Sequence, residues 1–307
     1  MANSYSSSLV VDVATQAAIT TLQPRLAALK SFASDFSDEV ISGAGLRKLQ
    51  VGVVQNAAAA VTNPTSFESS GDTVNAAAVQ LQHISAQFGL TSADLNKGFR
   101  LERILKANLR ALANAVMDVA IAPIGSGTAA SPKFASAYST AVTTSNALPG
   151  NTFISGALGT IWSSISNSSS KALILDGSYY QYLLPQTGFN LDVAMKGAYG
   201  FENGIFLNNR WSGVTAGTDN NLNGTSRTIK GFVASQESLA LAAALPYVDP
   251  AVAGLLQQQE VIEIPDLGLS VQFNVHGSLA SRSLFGTFDV LFGSAAADTS
   301  ALKTISA

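Results

Sequence analysis

Two histidines, His83 and His276, and no cysteine make up the chain's supply of the side chains that most often activate nucleophiles or bind soft metals. Neither histidine belongs to an HExxH zinc pattern, and no GxSxG nucleophile elbow or phosphate-binding loop is present. Both read as structural residues. Gly125-Ser126-Gly127 follows a helical pattern, whereas a dinucleotide loop follows a strand and opens a helix. It reads as a helix stop. Asp219, Asn221, Asn223 and Gly224 reproduce the opening of a D-x-N-x-N-G calcium loop. The twelfth position is Lys230, which places a cation where such a site needs its bidentate carboxylate. A turn-rich loop is the reading for Asp219–Gly224. Glu260, Glu263 and Asp266 are the remaining acid/base candidates. Glu260 and Glu263 are an odd number apart, so in a regular strand they face opposite sides. They read as solvent or subunit-contact charges. Arg103, Lys106 and Arg110 share a helix face that reads as solvated, the alternative being salt bridges to acidic residues of a neighbouring subunit or of the N-terminal segment. No catalytic, cofactor or metal site is expected.

With so little chemistry to position, the informative property is how the chain handles water. Charged residues are 12% of the 307 residues, against 47% hydrophobic, and the mean hydropathy is +0.26. Ordinary soluble domains carry about 25% charge. Half the usual charge implies either a membrane protein or a surface covered by partners. No apolar run approaches the ~18 residues of a spanning helix. Those around Ala115–Ile124 and Leu239–Leu245 are short and stop at Pro123 and Pro246. Met1–Leu9 is Ser-rich, without the basic region or apolar run of a secretory signal. A net charge of −3 gives no broad basic surface for gripping nucleic acid. A surface covered by partners is the better account.

The elements follow from periodicity. Residues 1–45 read as an arm: Pro24 interrupts a first helical pattern, Leu22, Leu26 and Leu29 keep helical spacing, and Asp35, Asp38 and Glu39 form an acidic knot before Gly43-Ala44-Gly45. From Leu46 to Leu90 the pattern is a long hairpin. Leu49, Val51 and Val53 alternate outward, Asn63–Asp72 is dense in turn formers, and Val74–Phe88 returns. Thr91–Ala122 reads as one long helix, with Ser92 as N-cap, Asp94 in the first turn, and Leu101, Leu105, Leu109, Leu112, Val116 and Val119 as its apolar stripe. Phe134–Val142 and Phe153–Ile165 read as helices, Ser163–Ser170 as a polar connector, and Lys171–Asp176 as a buried strand. Tyr179–Leu184 reads as a short helix, Gly204–Trp211 as a strand, Ser212–Arg227 as a loop and Ile229–Ala234 as a strand. Late strands follow: Glu260–Ile264, a turn at Pro265-Asp266-Leu267-Gly268, a strand carrying Leu269, Val271, Phe273 and Val275, and Thr287–Phe292. The class is α+β.

The order of these parts resembles tailed-bacteriophage major capsid proteins of the Hong Kong 97 type. Gln80-Leu81-Gln82-His83-Ile84-Ser85 leading into Leu95–Val119 looks like that family's extended loop entering its spine helix. Lys171–Leu184 looks like part of its axial domain, and Leu256–Phe292 like its peripheral-domain strands. The resemblance covers roughly residues 46–307 and rests on arrangement, since the family has no short diagnostic motif. It implies an N-terminal arm (1–45), extended loop (46–90), spine helix (91–122), mixed α/β axial domain (123–255), peripheral strands (256–290) and a return to the axial domain (291–307). It further implies a non-enzymatic subunit forming pentamers and hexamers of an icosahedral shell around double-stranded DNA. Its partners would be a portal and scaffolding or decoration proteins, and its place the virion capsid, assembled in the host cytoplasm without cofactor or membrane. Some members weld subunits through a lysine on the extended loop. Residues 51–96 contain none here, so that chemistry is not expected.

An encapsulin-like nanocompartment shares this type of fold and differs in its cargo. A surface-layer structural protein and a hydrolase are the readings from other classes. The missing signal segment argues against the first, and the nearly empty inventory of nucleophiles and bases argues against the second.

Overall fold

The computed structural model describes residues 7–37, 48–56, 73–90, 98–125, 134, 136–138, 171–175, 205–206, 229–248, 254, 256–265, 267–278 and 283–306. Its first helix, α1 (Ser7–Leu26), buries Ala14, Ala17, Ala18, Leu22 and Leu26. Most of the segment read as an arm is therefore a packed helix. Pro24 lies inside α1 instead of interrupting it. Proline removes the bond to the carbonyl four residues back, and here Thr20 and Pro24 both fall on the exposed face, where water takes that carbonyl. A single turn, α2 (Leu29–Phe32), leads into β1 (Ala33–Asp35).

Then come β2 (Lys48–Asn56), β3 (Thr73–Gln80) and β4 (Gln82–Leu90). The returning segment is thus not one strand. Its apolar positions are odd-numbered at Val79 and Leu81 and even-numbered at Ile84, Ala86 and Phe88, so the buried face switches at Leu81 and the chain leaves the hairpin. The long helix α3 runs from Gly98 to Ile121, 24 residues or about 36 Å. Leu101, Leu105, Leu109, Leu112 and Val116 are all buried. A 3-10 turn, Ala122–Gly125, ends it at Pro123.

The remaining strands are β5 (Ser136–Tyr138), β6 (Lys171–Leu175), β7 (Ile205–Phe206), β8 (Ile229–Ser235), β9 (Leu239–Ala244), β10 (Leu256–Ile264), β11 (Leu269–Ser278), β12 (Ser283–Ala296) and β13 (Leu302–Ser306). Within Phe134–Val142, expected as a helix, Ser136–Tyr138 is a strand whose Ser136 and Tyr138 pair with Thr304 and Ile305 of β13, and residues 135 and 139–142 lie outside the described residues. A three-residue stretch gains more from pairing a waiting strand edge than from a helical turn of its own. The Pro265–Gly268 turn is as expected, with Gly268 at φ +63° and Leu267 N–H donating to the Ile264 carbonyl at 3.3 Å. Asp38, Glu39, Gly43–Gly45, Asn63–Asp72, Ser92, Asp94, Ser126-Gly127, Phe153–Ile165, Ser163–Ser170, Tyr179–Leu184, most of Gly204–Trp211, the Ser212–Arg227 loop and Asp266 lie outside the described residues.

Two sheets organise the chain. A six-stranded sheet runs β1-β9-β12-β11-β10, with β4 also on β12. Residues 284–292 of β12 pair β4, while 283–289 pair β11 and 291–296 pair β9. So β11 and β9 follow one another along one flank of β12, and β4 takes the other. Helix α3 packs on β4 and β12, and α1 packs beside α3 and on β10. Phe88, Phe273 and Phe288, from three adjacent strands, form the centre beneath them, with the Phe273 and Phe288 rings 4.8 Å apart. Each such side chain contributes about 1.5–3 kcal/mol by burial. Gly286 leaves room for Phe88, since a Cβ there would meet its ring at 2.6 Å.

The second sheet is β5-β13-β8-β6-β7. Two short connections between the sheets, Ser235–Ser238 and Ala297–Ala301, lie side by side. The Ala297 N–H donates to the Ser238 carbonyl at 3.0 Å, and the Ser235 N–H to that of Ala301 at 2.9 Å. The buried Ser238 hydroxyl donates to the Phe32 carbonyl at 2.6 Å, and Phe32 meets Phe232 edge-on.

Candidate assembly surface

The residues singled out for chemistry are dispersed. His83 lies on the face of β4 away from the helices, its Nε2 3.1 Å from Asp289 Oδ1. Asp289 Oδ2 also accepts from Asn274 Nδ2 at 3.0 Å and Thr287 Oγ1 at 2.6 Å, and Gln272 donates to Asn274 at 2.9 Å. This chain of bonds runs across three strands on the sheet's second face. It engages both carboxylate oxygens of Asp289 and braces the three strands against one another. His276 stacks on Phe285, ring centroids 5.6 Å apart. Glu260 pairs across from Phe273 and Glu263 from Ser270, placing the two carboxylates on opposite faces of β10. Arg103 and Arg110 are exposed on α3, opposite its apolar stripe, and Lys106 forms an ion pair with Glu102. Lys230 is in β8, while Asp219, Asn221, Asn223 and Gly224 are outside the described residues. Among the described residues no three acidic or histidine side chains converge as metal ligands, and no helix is long and apolar enough to cross a membrane.

The distinctive surface is the β2–β3 hairpin. It forms its own two-stranded sheet, in register from Lys48↔Gln80 to Asn56↔Thr73. Its root is seated on the six-stranded sheet by Val51, Val79 and Leu81, buried against Ala240, Ala242 and Ala297. The sequence builds this seat simply. In Leu239-Ala-Leu-Ala-Ala-Ala, the two leucines face the helices, and Ala240 and Ala242 face the other way as a flat apolar floor. At Gly293 the approach is closer still: a Cβ would come within 2.8 Å of the Gln80 carbonyl carbon and 3.0 Å of Val79 Cγ1. Backbone crosses backbone there. The seat went unread in the sequence because alanine favours helix over strand, and the signal that marks it is the odd-to-even switch at Leu81.

Among the described residues, the hairpin's buried side chains are Val51, Ala77, Val79 and Leu81, at its root. Two-stranded ribbons are marginal in water unless a third layer covers them. Elsewhere, the large apolar side chains left exposed among the described residues are Leu245, Tyr247 and Val261.

This architecture is an α+β capsid-type fold. No protein-family model matches the sequence, and no curated protein matches it. Among solved structures, the chain is similar to the virus-like particle from Pyrococcus furiosus, with TM-score 0.51 and 14% identity over 97% of this chain and 96% of that one. It is also similar to a chain of the cyanophage P-SCSP1u capsid (TM-score 0.48, 14% identity, 89% and 86% covered) and to one of Mycobacterium phage Bobi (0.49, 10%, 92% and 89%). The first likeness extends over nearly the whole of both chains.

Proposed function

We propose that this chain is the major capsid protein of a tailed bacteriophage, a non-enzymatic subunit that assembles as pentamers and hexamers into an icosahedral shell around double-stranded DNA. The observation that carries the reading is the β2–β3 hairpin, a two-stranded sheet of nine and eight residues whose buried side chains, among those described, lie at its root. Such a ribbon needs a covering layer, and a second copy supplies it. The scarcity of charge fits a surface reserved for other copies. In a closed symmetric assembly each modest contact is repeated until the sum is large. On this reading the hairpin is the extended loop, α3 the spine helix, the six-stranded sheet the peripheral domain and the five-stranded sheet the axial domain. Portal, scaffolding and decoration proteins would be its further partners, and the virion capsid its location after assembly in the host cytoplasm.

A second reading, an encapsulin-like nanocompartment, draws on the similarity to a virus-like particle across 97% of the chain. Electron microscopy of the chain expressed alone tests both. Uniform hollow particles tens of nanometres across are expected, and a monodisperse monomer would refute the shell. Particles purified from the native source that contain double-stranded DNA favour the capsid, whereas protein cargo favours the compartment.

A further inference from the structure

Charge is scarce in this chain, and two patches of opposite sign stand on opposite flanks of the six-stranded sheet and its helices. One is acidic. Strand β10 ends the sheet, and its outer edge pairs with no other strand among the described residues. Glu260 and Glu263 are exposed on opposite sides of that edge, and Val261, 43% exposed, shares the side of Glu263. The other patch is basic: Arg103 and Arg110 along α3, with the exposed Ala107 between them and the Lys106–Glu102 ion pair alongside. Helix α3 lies over β4 and β12, and α1 stands between it and β10. The two patches are thus kept apart within one subunit.

We infer that the free edge of β10, through Glu260, Val261 and Glu263, docks against the Arg103–Arg110 stripe of α3 in a second copy of this chain; this rests on the shell reading above. The chemistry matches at three points. Guanidinium groups donate to carboxylates and also to the carbonyls left unpaired on a strand edge. Covering an edge strand with another element removes a template for aggregation. Val261, on the same side of the edge as Glu263, meets a small flat alanine flanked by cations. Because the patches differ, the contact is head-to-tail, the kind that repeats around a ring. Each ion pair is weak singly, and repetition makes the sum count.

Charge reversal tests this on the full chain. E260K/E263K and R103E/R110E should each lower the assembled fraction by roughly tenfold or more, because like charges then face each other. Both should keep the unassembled subunit's melting temperature. All four substitutions on one chain should restore assembly. Mixing the two double variants should restore only rings in which they alternate, so hexamers recover and pentamers do not. Wild-type assembly should weaken as salt rises. E260Q/E263Q, which adds no repulsion, should assemble less than wild type and lose most of that salt dependence. The inference is overturned if both reversals assemble like wild type, or if the four-fold variant folds without recovering. It is equally overturned if R103E/R110E builds normal shells that merely lose nucleic acid. In each of these cases the shell reading stands. A wild-type chain that never assembles sinks the shell reading itself.

Discussion

Replacing Gly293 with alanine should disturb assembly far more than it disturbs folding. The added methyl would sit 2.8 Å from the Gln80 carbonyl carbon and 3.0 Å from Val79 Cγ1. Unstrained contacts between carbons need about 3.5–4.0 Å, so the hairpin root must retreat by roughly 1 Å. The obstacle is backbone, so no side chain can swing aside. Overpacking of this kind costs about 1–3 kcal/mol. Its geometric effect is larger. A shift of about 1 Å at roughly one strand spacing from the pivot tilts the ribbon by about 12°, which becomes about 6 Å at the end of a ~30 Å strand. A displacement of that size removes the ribbon from any site shaped to receive it. Urea denaturation of dissociated subunits would measure the first effect, and sedimentation of assembled material the second. Gly89→Ala is the internal control, since its Cβ would meet Phe285 at an ordinary 3.6 Å. If Gly293→Ala and Gly89→Ala unfold alike and both assemble like wild type, the crossing does not aim the hairpin, and this reasoning is refuted.

Other perturbations separate the fold from its use. Phe288→Ala empties the space between Phe88 and Phe273 and should cost about 3–5 kcal/mol in denaturant unfolding, with fold and assembly lost together. Asp289→Ala strands the Asn274 amide and the Thr287 hydroxyl and should cost about 1–3 kcal/mol by the same measurement, with no catalytic phenotype. Replacing residues 57–72 with a two-residue Asn-Gly turn should leave the subunit folded by circular dichroism, because shortening a loop lowers its closure entropy, yet abolish particles in the electron microscope. Ser238→Ala removes the 2.6 Å bond to the Phe32 carbonyl and should cost about 1 kcal/mol at the joint between the two sheets.

What could be read in advance followed how local the controlling physics is. Helix α3 was legible because five of its stripe residues, Leu101 to Val116, recur at a spacing only a helix can bury on one side. Strand β11 was legible for the matching reason, with Val271, Phe273 and Val275 alternating. Strand β9 was not, because Leu239–Ala244 is small and apolar throughout, and a strand buried on both faces shows no period. Nor was β5, whose conformation depends on β13, more than 160 residues away by register. The network joining His83 to Asp289, Asn274 and Gln272 was not legible, because it spans three strands and no spacing rule reaches that far. The calcium-like loop at Asp219–Gly224 lies outside the described residues.

The root of the hairpin is where these levels meet. A strand that merely continued from Val74 to Leu90 would keep one set of side chains on one face, and the ribbon would fold into the sheet as an ordinary pair. Instead the buried set changes from odd to even positions after Leu81, so the same chain must serve two sheets in turn. Serving both requires it to cross β12 where the two backbones nearly touch, and Gly293 lies under that crossing. The crossing also needs a floor without projecting side chains, and Ala240 and Ala242 supply it beside Ala297. The residues therefore specify a ribbon anchored at its root, and a two-stranded ribbon becomes stable when another layer, here a second copy, covers it.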